Sequence, residues 1–384
     1  MSEKSSFKTE SPVRATINVA VIGASGNIGS RLLDLIATRA DGALRLVAVA
    51  NSRAALIVRE GLAPAQACAR LRAAAPEAGF AAALSHLPRP LIVVDCSASA
   101  EVAAYYPRWL AAGIDVVAPN KFGPSADRPL ARAIAAAQAT SGALLRDSTT
   151  VGAQLPLLQT LRDLHAAGDR VERFEAVLSG TLSYVLSSVQ QGEALSAVVR
   201  EAFALGYTEP HPASDLSGED AARKLVILLR ALGHDIEFAD VERVPLVDAE
   251  LLDEPDPACA IERLQAIDET WRARVAIAQA RHERWIYRAS FDGARARVAP
   301  ERVACAHPLA NLAPCENALI LHSAYYHVAP LRIAGPGAGI DLTAAGVFAD
   351  LLAAAWHYAW RADSAAVEEF TVEEFAADEI EAAA

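Results

Sequence analysis

Residues 17–40 read INVAVIGASGNIGSRLLDLIATRA. An apolar run from Ile17 to Ile22 gives way to three glycines, Gly23, Gly26 and Gly29, and then to an apolar-periodic stretch suited to a helix. Strand, glycine turn and helix in that order are what a dinucleotide site requires. Glycine lets the backbone turn sharply and approach a pyrophosphate, and the helix N-terminus favours its negative charge. The spacing is G-x-x-G-x-x-G, one residue away from the common G-x-G-x-x-G. Gly23, Ser25, Gly26, Asn27, Ile28 and Gly29 are therefore candidate cofactor-binding positions.

Outward from this unit the alternation continues. LRLVAVANSR (44–53), LIVVDCSAS (91–99) and IDVVAPNK (114–121) are short apolar runs closed by polar residues. AEVAAYYPRWLAAG (100–113) and RPLARAIAAAQATSG (128–142) are helical stretches ending in glycine. Strands alternating with helices predict a parallel, Rossmann-type α/β domain over residues 15–150. The second strand ends in Asn51, Ser52 and Arg53 where an acid usually holds the ribose 2′-hydroxyl. An arginine there suits a 2′-phosphate, which points to NADP rather than NAD.

Past residue 150 the texture changes. RWIYRASFDGARARVAP (284–300) reads as two strands around Asp292-Gly293, and ENALILHSAYY (316–326) and APLRIAG (329–335) are further β-like runs. Consecutive strands predict a mixed-sheet α+β domain over 151–335. GPGAGIDLTAAGVFADLLAAAWHYAW (335–360) is a second glycine turn and helix, placed in a segment 336–362, and 363–384 reads as an acidic, solvated tail.

Bulk composition narrows the function classes. Of 384 residues, 53 % are hydrophobic and 21 % charged, which suits packed cores. A net charge of −12 argues against nucleic acid or an anionic membrane as partner. The N-terminal stretch lacks the apolar core of a signal peptide, and no apolar run is long enough to span a bilayer. Five scattered cysteines without a CxxC pair suggest buried thiols in a reducing cytoplasm, and the scattered histidines suggest no transition-metal site.

GYTEPHPASDLSGEDAARK (206–224) feeds charged groups straight into the apolar run LVILLRALG. Ser217 followed by Asp220 fits a helix N-cap with an acid at N3. Glu219, Arg223 and Arg230 fall on one side as a solvent stripe, while Asp220 and Lys224, four apart, project together elsewhere. His211 reads as exposed. A capping box with a surface ion pair would explain the helix but not the acidic loop before it. Convergent acids beside a lysine can hold an ammonium group and handle a proton.

Together these motifs resemble homoserine dehydrogenase. The resemblance runs over about residues 17–360 and includes VVDCSAS, VVAPNK, TVGAQLP, LSGTLSYVLS and GPGAGIDLTAAGVFADLL. It is most similar to the dehydrogenase half of the bifunctional aspartokinase–homoserine dehydrogenases, with no kinase before it and no patterned regulatory domain after it. The resemblance implies NADP-linked reduction of L-aspartate 4-semialdehyde to L-homoserine, toward threonine and methionine, by a cytoplasmic homodimer. It implies catalytic roles for Lys121, Lys224 and Asp220. It implies substrate-binding roles for Glu209 and Asp215, near the amino group, and for Gly180, Thr181 and Tyr207. Ser97, Ala98, Asn120, Lys121 and Gly339 join the cofactor set by the same resemblance.

Three departures from the family pattern stand out. The acidic loop Asp-Pro-x-Asp-Asp reads His211-Pro212-Ala213-Ser214-Asp215. Val-Gly-Ala-Gly-Leu reads Val151-Gly152-Ala153-Gln154-Leu155; carbonyls of Val151, Ala153 and Leu155 could hold Na⁺ or K⁺ as in relatives, with Gln154 restricting the backbone. Asn-Gly-Thr reads Ser179-Gly180-Thr181. An oxidoreductase acting on another amino-aldehyde, or a silent NADP-binding protein of the same fold, are the competing readings.

Overall fold

The computed structural model of the chain describes residues 16–40, 42–76, 79–208 and 211–367. Glu209 and most of the acidic tail lie outside the described residues. Two six-stranded sheets organise the chain, giving the expected pairing of a Rossmann-type unit with an α+β unit.

In the first sheet, β1 (Ile17–Ile22), β2 (Leu44–Ala50), β3 (Ala55–Ile57), β4 (Leu91–Asp95), β5 (Asp115–Val117) and β6 (Leu145–Arg146) take the order β3-β2-β1-β4-β5-β6. Its pairs are parallel except the edge pair β2–β3. Every residue of β1 is buried, as a central strand covered on both faces must be. The strand order reverses between β1 and β4, so their C-terminal ends form the crevice where such sheets bind ligands. The helix after the glycine turn, Asn27–Arg39, covers one face beside a closing helix, Ile340–Val367. The closing helix runs past the expected boundary at 362 and sends Ala344, Val347, Phe348 and Leu351 into the core that holds Ile17, Val19 and Val21. Gly346 permits its close approach, because a Cβ there would sit 2.5 Å from Thr149 Cγ2.

The second sheet comprises β7 (Val171–Val177), β8 (Val241–Arg243), β9 (Glu283–Phe291), β10 (Ala296–Ala304), β11 (Glu316–Ser323) and β12 (Leu331–Pro336), in the order β12-β11-β7-β9-β10-β8. Only β8–β10 is parallel among these pairs. The β9–β10 hairpin closes at the expected Asp292-Gly293, where Asp292 Oδ1 accepts from the backbone N–H of Ala294 (3.1 Å) and Arg295 (2.8 Å). One face of the sheet, with Phe174, Tyr287, Phe291 and Leu319, packs on the helix Glu219–Ala231 through Leu225, Val226, Leu228 and Leu229. That helix carries its apolar side into this core and its charged side toward the first sheet.

Candidate active site

The glycine turn sits at the β1/β4 crevice. Gly23 adopts φ +74°, and a Cβ there would meet Cys96 C and O at 2.7 Å. A Cβ at Gly29 would lie 2.2 Å from the Gly23 carbonyl oxygen, whereas one at Gly26 would lie 3.3 Å from it. Two of the three glycines are thus needed for close backbone packing, which leaves Gly26 as the N-cap with no side-chain cap among the described residues. The first helical turn carries no acid, so its N–H groups and positive dipole end suit an anion. Asn51 closes the neighbouring β2 loop. Its Nδ2 donates to Ser25 Oγ (2.9 Å), and its Oδ1 accepts from the N–H groups of Arg53 and Ala54 (2.8 and 2.9 Å). Ser52, Arg53 and Ala98 are exposed, with Arg53 at the rim of this turn.

Asp95, at the end of β4, carries a role the sequence reading assigned to no residue. It is fully buried. Oδ1 accepts from Ser97 N (2.9 Å) and Oγ (2.6 Å), and Oδ2 accepts from Tyr106 Oη (2.6 Å) and Asn120 Nδ2 (2.8 Å). Burial raises its carboxyl above the ordinary range, and these four donors oppose the rise. One side chain thereby fixes both the Cys96–Ser97 backbone facing Gly23 and the Asn120 turn that carries Lys121. Asn120 is itself buried, and its Oδ1 accepts from Phe122 N (3.0 Å).

Lys121 reaches across to the second unit, where its Nζ lies 3.0 Å from Asp220 Oδ1. Lys224 Nζ lies 2.6 Å from Asp220 Oδ2 and donates to the Leu178 carbonyl at 2.8 Å. The three side chains are largely shielded, at 31 %, 22 % and 13 % exposure for Lys121, Asp220 and Lys224. Burial alone would raise the Asp220 carboxyl. The two ammonium groups and their hydrogen bonds outweigh burial and hold it well below the usual carboxylate range. The result is one ionised carboxylate holding two ammonium groups, each able to meet a developing oxyanion or give up a proton.

The remaining described substrate candidates sit on the helices Gly180–Val189 and Ala213–Leu216 and at Tyr207. Ser179 Oγ accepts from Leu182 N (3.2 Å), capping the helix Gly180–Val189, and Thr181 Oγ1 donates to the Tyr207 carbonyl (2.6 Å). Tyr207 is exposed and meets Tyr184 edge-on at 5.4 Å. Asp215 is buried in the short helix Ala213–Leu216. The Leu178 carbonyl also accepts from Asn317 Nδ2 at 3.3 Å. Asn317 is fully buried against Gly337, just ahead of Gly339, which has φ +134°.

Four local expectations give way. Ser217 is not the N-cap: the helix starts after Gly218, at φ +74°, because a Cβ there would strike the Tyr287 hydroxyl at 1.8 Å. The Glu219–Arg223–Arg230 stripe faces the first unit rather than solvent; Arg230 Nη1 donates to the Pro124 carbonyl (2.9 Å). His211 is half-buried, with Nε2 2.7 Å from the Glu254 carbonyl. In the 151–155 segment the left-handed residues are Gly152 (φ 74°) and Ala153 (φ 53°), not Gln154. Gln154 is exposed, so its side chain imposes no strain on that turn.

Comparison with known proteins finds matches to both units of the chain. The family model described as "Homoserine dehydrogenase" matches residues 156–352, and "Homoserine dehydrogenase, NAD binding domain" matches residues 25–146. The homoserine dehydrogenase of Schizosaccharomyces pombe is 32 % identical over 360 residues, covering 88 % of this chain and 95 % of that protein. That of Emericella nidulans is 39 % identical over 281 residues, covering 70 % and 76 %. The chain also matches the chloroplastic bifunctional aspartokinase/homoserine dehydrogenase 2 of Zea mays at 34 % identity, spanning 88 % of itself but only 38 % of that relative's length. Among solved structures, a Candida auris protein of unknown function superposes with a TM-score of 0.79 at 31 % identity, covering 88 % of this chain and 98 % of that one. A hyperthermophilic archaeal homoserine dehydrogenase in complex with NADPH shares the fold, with a TM-score of 0.69 at 22 % identity over 89 % of this chain and 98 % of that one.

Proposed function

The chain belongs to the homoserine dehydrogenase family, and on that premise we propose that it interconverts L-aspartate 4-semialdehyde and L-homoserine with NADP(H). The observation that carries this reading is the Lys121–Asp220–Lys224 cluster, bridging the glycine-turn unit and the second sheet. In this reading residues 15–150 bind the nucleotide, 151–335 bind the substrate and form a cytoplasmic homodimer, and the product feeds threonine and methionine synthesis.

The glycine turn fits a dinucleotide: its closest approaches exclude side chains, and its helix N-terminus is uncapped by side chains among the described residues. When bound, the nicotinamide supplies or accepts the hydride. The rest falls to the protein. Asp220 holds both lysines in place, one on each carboxylate oxygen. Lys224, the more buried, stabilises the charge growing on the carbonyl oxygen, and the proton that completes the alcohol comes from this pair of ammonium groups. Asp215 and Glu209 hold the substrate's amino group, so that the reacting carbon is presented in one orientation. Carbonyls of Val151, Ala153 and Leu155, in a turn already bent by Gly152 and Ala153, suit a monovalent cation in its oxygen-ligand preference.

The direct test is a spectrophotometric assay with L-homoserine and NADP⁺ or NAD⁺. Turnover with homoserine is expected; a folded protein that binds NADPH yet turns over neither homoserine nor aspartate semialdehyde would sink the reading. Cofactor preference has its own test. Arg53→Ala is expected to weaken NADP(H) binding about 10–100-fold, the worth of a charged hydrogen bond, and to leave NAD(H) nearly unchanged. Equal losses for both cofactors would mean that Arg53 does not read the 2′-phosphate.

A further inference from the structure

Arg223 stands one residue before Lys224, yet its side chain serves the other lysine. The guanidinium lies over the Phe122 ring at 4.7 Å and over the Phe238 ring at 4.8 Å. Phe122 follows Lys121 in the first unit, and Phe238 belongs to the second. Glu219 Oε1 anchors the guanidinium through Nε (3.2 Å) and Nη2 (2.8 Å). Nη1 reaches to 3.5 Å from Ser125 Oγ. Ser125 in turn donates to the Lys121 carbonyl through Oγ (2.7 Å) and N (2.9 Å). Arg223 therefore touches the residues that hold the Lys121 backbone from both sides.

A cleft of about 530 Å³ opens beside this contact, lined by Phe122, Ser125, Asp127, Arg223, Glu237 and Phe238. Apolar packing does not fill the gap, so the flat guanidinium spans it. Stacking on two rings while hydrogen bonding in its own plane is something arginine does and lysine does not. Farther along the same seam, Arg230 Nη1 donates to the Pro124 carbonyl (2.9 Å) and Arg128 N donates to Glu237 Oε1 (2.9 Å). Those bonds keep the two units docked without Arg223. Its loss frees the 121–125 loop locally.

We infer that Arg223 is a positioning residue: it sets Lys121 against Asp220 across the seam and contributes to turnover only through Lys121. The inference rests on the proposed function, since it needs Lys121 at the reacting centre. A displacement of about 1 Å at a catalytic group can cost on the order of 10²-fold in rate. Arg223→Ala is therefore expected to lower kcat about 10–100-fold with NADPH affinity unchanged. Arg223→Lys, which keeps the charge but not the planar stack, recovers only part of that loss.

The deciding measurement is a double-mutant cycle on the purified full chain, with kcat and NADPH binding read for each variant. In a Lys121→Met background, Arg223→Ala is expected to cost nothing more. A merely structural arginine would lower kcat by the same factor in both backgrounds, and that result overturns the inference while leaving the site reading intact. An Arg223→Ala enzyme with wild-type kcat overturns it too. A Lys121→Met enzyme with wild-type kcat removes the site reading and this role together. If Arg223→Ala does not fold, Phe238→Leu removes one stacking partner from outside the lysine loop and is held to the same non-additivity.

Discussion

Lys224→Met and Lys121→Met are each expected to lower turnover by about 10²–10⁴-fold, the range typical of a general acid or an oxyanion partner. Methionine keeps most of the length and packing of lysine and removes the charge. Lys224→Met should be the more damaging. Its ammonium is the less exposed, and it is pinned by both Asp220 and the Leu178 carbonyl. Neither change touches the glycine turn, so NADPH affinity should change much less than turnover, although Lys121 also stands in the cofactor set. Removing either cation also takes away part of what keeps Asp220 ionised. The pH profile of each variant should therefore move on its acid side, because a carboxyl whose depression is relieved takes up its proton at higher pH. Steady-state kinetics across pH with NADPH titrations give both readings. Near-normal turnover in both variants would end the assignment of either lysine to the chemistry.

Gly23→Ala is expected to raise the dissociation constant for NADPH by about 30-fold or more. A left-handed conformation costs an L-residue roughly 1–2 kcal/mol, and forced overpacking costs about 1–3 kcal/mol more, so a total of about 2 kcal/mol is a lower estimate. The obstacle is a backbone peptide unit, Cys96 C and O at 2.7 Å and Ser97 N at 2.9 Å, and backbone cannot swing aside. Gly29→Ala should be comparably damaging, with its contact at 2.2 Å, and Gly26→Ala much milder at 3.3 Å. Gly42 supplies the control. It has φ +75° with nothing within 4 Å of its Cβ position, so Gly42→Ala carries the conformational strain without the clash and should spare cofactor binding. Fluorescence titration of the four variants with NADPH orders them, and a Gly23→Ala protein with wild-type affinity would contradict the placement of the nucleotide.

How much of this was legible beforehand depends on how local each determinant is. The glycine turn, the alternating runs of the first sheet and the Asp292-Gly293 hairpin are written in adjacent residues, and each forms where expected. The i,i+4 pair Asp220–Lys224 is likewise a local fact of helical geometry. Lys121 meeting Asp220 is not, because nothing near either residue encodes a contact between separate units; only the family resemblance brought them together. β8, three residues pairing in parallel with β10, had no pattern to find. The charged stripe defies a reading from sequence for a related reason. Glu219, Arg223 and Arg230 have the composition of a solvated face, and the helical wheel cannot say that another part of the chain covers it. Asp95 did leave a signal in VVDCSAS, since an acid closing a buried strand must find donors nearby. The start of the lysine helix was missed because its reason, the Tyr287 hydroxyl against Gly218, lies on β9.

The closing helix has a consequence for the order in which the chain can fold. Its Ala344, Val347, Phe348 and Leu351 complete the core begun by Ile17, Val19 and Val21, so the two ends of the described chain are walls of one interior. A ribosome delivers those ends in sequence. The first sheet can pair its strands early, but the face that Asn27–Arg39 shares with the closing helix stays only partly covered until that helix has emerged. Such long-range contacts slow folding and leave apolar surface open in the meantime. A nascent chain stalled at Gly337 should be cut readily by protease within its first 150 residues, and one extended past residue 360 should resist. Equal resistance at both lengths would show that the first sheet closes without the helix. As drawn by its packing, the nucleotide-binding unit is made before the second sheet and finished after it.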